Sequence, residues 1–109
     1  MYVVLYPESL IETLEGLPTE GYLLELLGEV LDPHPIELHA GPAVVWIGHR
    51  PRWPIEPENP CASHLLAERV GRPSPVRGVA VVCGWDPTSG AALPLDGDQV
   101  AELLAPHQR

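Results

Sequence analysis

The sequence predicts an α+β fold, a small mixed or antiparallel sheet of about four strands covered by two or three helices. Three observations predict it. Short β-branched or alternating runs fall at residues 2–6, 36–39, 43–47 and 78–83. Stretches of helical period with their own caps lie between and after them. The chain of 109 residues is 45% hydrophobic and 19% charged, which suits one domain with one core spanning residues 1–109.

Tyr2-Val-Val-Leu-Tyr6 is β-branched and aromatic and ends at Pro7, so it starts the sheet. Ser9-Leu-Ile-Glu12 has the spacing of a capping box, which predicts a short helical turn to about residue 15 before Gly16-Leu17-Pro18 stops it. Thr19 caps a helix over residues 20–31, where Leu23, Leu24, Leu27, Val30 and Leu31 form an apolar stripe. Its outer face carries Glu25 and Glu29 one turn apart. Pro33-His34-Pro35 breaks the helix, and residues 36–39 and 43–47 make a hairpin around Ala40-Gly41-Pro42.

Residues 48–60 are proline-rich and read as a loop. Asn59 then caps a helix with Pro60 at its first position, ending at Gly71. The continuous apolar run at 78–83 reads as a strand covered on both faces, and residues 84–90 as a turn. Asp96 with Gln99 caps a last helix to about residue 104; Asp96-Gly-Asp98 lacks the other ligands of a calcium loop.

Net charge is −9, and its distribution is uneven. Residues 1–40 hold eight carboxylates and no Arg; residues 41–78 hold five Arg against three Glu, a local excess of +2. Every one of the six basic residues is Arg. This balance argues against a nucleic-acid-binding surface, which needs cations against phosphate. The first residues lack a positive segment ahead of an apolar one, and no run reaches the roughly 18 apolar residues of a membrane span. The expectation is a cytoplasmic protein with Cys61 and Cys83 as reduced thiols.

The second half resembles a known family. Asn59-x-x-Ala62, an amphipathic helix, Arg77-Gly-x-Ala-Val-Val-x-Gly84-x-Asp86, the turn at Gly90 and Leu95 before a closing helix are similar to the domain-of-unknown-function 3846 family, over roughly residues 20–104. That resemblance implies a small protein of bacteria, phages or mobile elements, and it carries no catalytic residues.

Three groups of residues suggest chemistry, the first of them in two ways. Cys61-x-x-His64 supplies two zinc-type ligands on one helical face, one pair where a structural zinc site needs two. The same pair could form a thiol nucleophile with its base, since the first turn of a helix favours a thiolate. Arg50, Arg52 and Trp53, next to His49 in the proline-rich loop, are residue types enriched in binding hot spots. The carboxylates of the first forty residues, Glu25 and Glu29 among them, could imitate the charge of DNA.

The function expected is non-enzymatic binding of another protein, with no cofactor, through Arg50, Arg52, Trp53, Glu25 and Glu29. The alternatives are a thiol enzyme or zinc protein built on Cys61 and His64, and an acidic mimic that occupies a nucleic-acid-binding protein. A homodimer is a further expectation, since a small domain leaves sheet edges to pair.

Overall fold

The computed structural model describes residues 1–28, 31–48, 57–71 and 75–105. Nine elements follow in the order β1 (Tyr2–Leu5), β2 (Ile11–Leu14), α1 (Glu20–Leu27), β3 (Leu31–Leu38), β4 (Gly41–Gly48), α2 (Pro60–Val70), β5 (Ala80–Asp86), β6 (Ala91–Leu93) and α3 (Gly97–Leu104). The strands form one sheet in the order β2-β1-β5-β4-β3, antiparallel throughout, and β6 continues the line of β1 along the same edge of β5. The α+β class is as expected; the sheet has six strands rather than about four.

Both extra strands are the second arms of short hairpins, β2 on β1 and β6 on β5. The expected helical turn at residues 9–15 is instead β2, which pairs Ile11 with Leu5 and Leu14 with Tyr2. Ser9 sits at φ 64°, and the Tyr6 carbonyl accepts from its N–H while the Tyr6 N–H donates to Leu10, so the capping-box spacing is spent on a hairpin loop. The expected strand at 78–83 runs from 80 to 86, and its continuation past Gly84 is held by β6. Gly84 is needed there because a Cβ would lie 2.9 Å from the Leu93 carbonyl oxygen and 3.0 Å from that of Pro94.

The predicted helix at 20–31 stops at Leu27. Gly28 takes φ 95° and its N–H closes on Leu24, after which the chain enters β3 at Leu31. The helix that carries Glu25 thus ends before position 29, and Glu29 lies outside the described residues. Pro33 and Pro35, expected only to break a helix, lie within β3. They are tolerated because β3 is the edge strand, where a proline nitrogen can face away from the ladder.

The local signals hold where the chemistry is local. Thr19 Oγ1 accepts from Tyr22 N–H at 3.1 Å, and Asn59 caps α2 with Pro60 at its start. Asp96 and Gln99 form a reciprocal capping box on α3.

The sheet carries a core on each face. On one, α2 and α3 enclose Val3, Leu5, Val45, Ile47, Val82 and Leu66. On the other, α1 sets Leu23 and Leu27 against Val4, Val44, Val81 and Cys83. The period of two along β1, β4 and β5 sends successive residues to opposite layers.

Candidate functional site

The two faces differ in kind. The α2/α3 core is aliphatic apart from Cys61. Every described aromatic residue, Tyr2, Tyr6, Tyr22, Trp46 and Trp85, belongs to the α1 layer, where α1 is the one helix among the described residues. That helix is eight residues long, whereas α2 has eleven residues and α3 another eight. Tyr6, Tyr22, Trp46 and Trp85 are left half-buried. Half-covered aromatics combine a large apolar area with polar edges, the composition found at binding hot spots.

Three tyrosines meet at one end of this face. Tyr2 and Tyr6 project from β1 and its extension, and Tyr22 comes from the first turn of α1; Tyr2 and Tyr22 stand edge to face with centroids 6.1 Å apart. Opposite β1, β2 brings Glu12 level with Val4 and Leu14 level with Tyr2 on the same face. The Tyr6 hydroxyl lies near both Tyr22 and Glu12. All three phenols are pushed above their ordinary range, first by burial and then by neighbouring negative charge. Glu12 acts on each of them, and Glu25 also acts on Tyr22.

The sequence alone does not bring these residues together. The alternation of Tyr2, Val4 and Tyr6 is a usable signal for one face, but a helical reading of residues 9–15 takes Glu12 away from it.

Cys61 and His64 do share one helical face. They line a crevice of about 20 Å³ with Glu68, Arg69, Glu102 and Leu103. That is the room of a single water and not of an organic substrate. Cys61 is buried, while His64 is exposed and reaches Glu68 at 3.1 Å. Among the described residues no group of three or more His, Cys, Asp or Glu is placed to hold a metal ion. Cys83 lies in the opposite layer, across the sheet from Cys61, where burial pushes its thiol up to about 12.

Two of the residues that line the crevice, Arg69 and Glu102, belong to a tie between three elements. Glu102 of α3 accepts the N–H groups of His39 and Ala40 in the β3–β4 turn at 2.9 and 3.0 Å. It also pairs with Arg69 of α2 at 3.2 Å. Burial alone would raise this carboxyl, but those donors and the Arg69 charge outweigh it and hold it below the usual range. Arg69 in turn donates to the Glu37 carbonyl at 3.4 Å.

Glu25 is exposed on α1, while Arg50, Arg52, Trp53 and His49 lie outside the described residues. Gly48, the last described residue before them, sits against the end of α1, where a Cβ would meet the backbone carbonyl of Leu27.

The residues that carry the family resemblance serve the backbone. Asn59 is fully buried; its Nδ2 donates to the carbonyls of Leu5 at 2.8 Å and Gly78 at 2.9 Å, and its Oδ1 accepts from Ala62 N–H at 3.1 Å. Gly90 turns at φ 73° against Trp85. Compared with protein families, curated proteins and solved structures, the chain matches none of them.

Proposed function

We propose that the chain is a non-enzymatic, cytoplasmic protein-binding module whose contact surface is the α1 face. The observation that carries this reading is the segregation of all described aromatic residues to the layer with the least helical cover. A domain that needed aromatics only for its core would gain from enclosing them on the α2/α3 side, where two helices exclude water. Exposed leucines lie on the segments that build this side: Leu10 in the β1–β2 loop, Leu17 before α1 and Leu24 on α1. The expected contacts Arg50, Arg52 and Trp53 lie outside the described residues and stay in the proposal as residue types suited to binding. The similarity to the domain-of-unknown-function 3846 family stays part of the same proposal and adds no chemistry to it.

A photo-reactive residue tests the assignment. Leu24 is 39% exposed on the α1 side, and Leu93 is 46% exposed and projects to the other face, as its partner Gly84 does. In host cells, a photo-crosslinker at position 24 should give a discrete protein adduct and one at position 93 should not. Adducts from position 93 alone, or from neither position, overturn the proposal.

A further inference from the structure

Within the α1 face, the end formed by Tyr2, Tyr6, Tyr22 and Glu12 has a chemistry of its own. Phenol rings present negative π-faces, and a cation within about 6 Å of a ring centroid is attracted by them. Here the rings converge from a strand and a helix, and Tyr2 and Tyr22 are already fixed in edge-to-face contact. Glu12 is exposed on the sheet face beside them, and Glu25 is exposed on the helix. The surrounding chain adds Glu8, Glu15 and Glu20, and residues 1–40 contain no Arg. A carboxylate beside the half-buried rings of Tyr6 and Tyr22 suits a guanidinium or ammonium group, which stacks on the ring and pairs with the carboxylate, while the buried Tyr2 backs Tyr22.

We infer that this tyrosine and glutamate cluster is a subsite for the cationic side chains of a basic segment, rich in Arg or Lys, on a partner protein. The inference rests on the protein-binding reading of the α1 face. Charge complementarity selects the occupant. A second copy packed cluster against cluster would set carboxylates against carboxylates, a like-charge juxtaposition that disfavours association. Nucleic acid is repelled from this end by the same field. The exposed Leu10, Leu17 and Leu24, carried by the same segments as the cluster, suit the apolar side chains that flank the cations in such a segment.

The probe is a blocked hexapeptide of alternating Arg and Gly, compared with a Glu-Gly hexapeptide and with spermine, while amide and side-chain shifts of the labelled protein are followed by NMR. The Arg peptide should move resonances of residues 2, 6, 12 and 22 saturably, and the Glu peptide should not. Raising the salt to about 1 M should weaken binding, because the Debye length falls to about 3 Å. Glu12→Gln and Tyr22→Ala should each weaken the Arg peptide about fivefold or more, whereas Tyr6→Phe, which keeps the ring, should cost less. Tyr22→Ala also thins the core, so surface-exposed Glu12→Gln decides the matter if that variant fails to fold.

Equal binding of the Arg and Glu peptides overturns the inference, as do shifts that map outside the cluster and unchanged affinity in Glu12→Gln. Tighter binding of spermine than of the Arg peptide replaces a protein segment with a polyamine. A silent titration beside a discrete adduct at position 24 removes the cationic subsite and leaves the protein-binding reading standing. Silence in both experiments removes the two together.

Discussion

Replacing Asn59 separates two accounts of why the residue is there. As a helix cap alone, Asn59→Asp should be neutral, because Asp and Asn cap about equally well and Ala costs about 1 kcal/mol. The structure implies a different order. Asn59 accepts one hydrogen bond and donates two, to carbonyls of β1 and of the segment before β5, with no exposure to water. Alanine therefore loses the cap and strands buried polar groups at about 1–3 kcal/mol each, so a total of about 4 kcal/mol is expected.

Aspartate keeps the cap but aims a buried carboxylate at two carbonyl oxygens, which costs at least as much as Ala at pH 7. Against a total stability of about 5–15 kcal/mol, both variants are severely weakened. The sign of the pH dependence is a second signature. Burial raises the folded-state pKa of the introduced carboxyl above its unfolded value of about 3.9, so the folded state binds more protons and Asn59→Asp gains stability as pH falls from about 7 toward 4. Urea unfolding followed by circular dichroism measures both effects. An Asn59→Asp protein within about 1 kcal/mol of the parent at pH 7 would refute the reasoning, because it would reduce Asn59 to a cap.

Three further outcomes follow from the structure. Glu102→Gln should lose about 1–2 kcal/mol at pH 7. In the parent, the depressed Glu102 contributes stability that is present above its unfolded pKa and disappears as acid titrates it through the lower folded value, so the two unfolding midpoints should converge at low pH. Gly84→Ala should cost about 1–3 kcal/mol, since the backbone carbonyls of Leu93 and Pro94 cannot yield as a side chain would, and hydrogen exchange should show β6 detaching first. Native-state alkylation should leave Cys61 and Cys83 unmodified until the protein unfolds, and no stoichiometric zinc should accompany the purified chain; rapid labelling of Cys61 or bound zinc would restore the thiol or metal reading.

What can be read from the sequence is what adjacent residues decide. Thr19, Asn59 and Asp96 cap helices through bonds three residues long, and they mark the starts of α1, α2 and α3. The end of α1 is not legible in this way because Val30 and Leu31 continue the helical period, although Gly28 ends the helix and β4 captures the chain into β3. β2 and β6 are four and three residues long and exist only because β1 and β5 pair with them, which no local pattern states. The tyrosine cluster is hidden for the same reason: Glu12 joins it through cross-strand register, and Tyr22 through helix placement. Cys61 and His64 are legible as neighbours because one helical turn joins them, but the size of the crevice they line depends on α3, at the far end of the chain.

The place of β1 in the sheet has a consequence for synthesis. Tyr2–Leu5 is the first element of this domain to be translated, yet one of its flanks belongs to β5, whose residues Ala80–Val82 follow only after β2, α1, β3, β4 and α2. Until then the nascent protein exposes an apolar strand edge beside a hairpin too short to be stable alone. Closing that gap means joining Leu5 to Ala80 across everything between them, which places this domain among the slower folders for its size. Expression conditions that slow translation or lower temperature therefore act on the interval in which β1 is unprotected, and yield should respond to them more than final stability does.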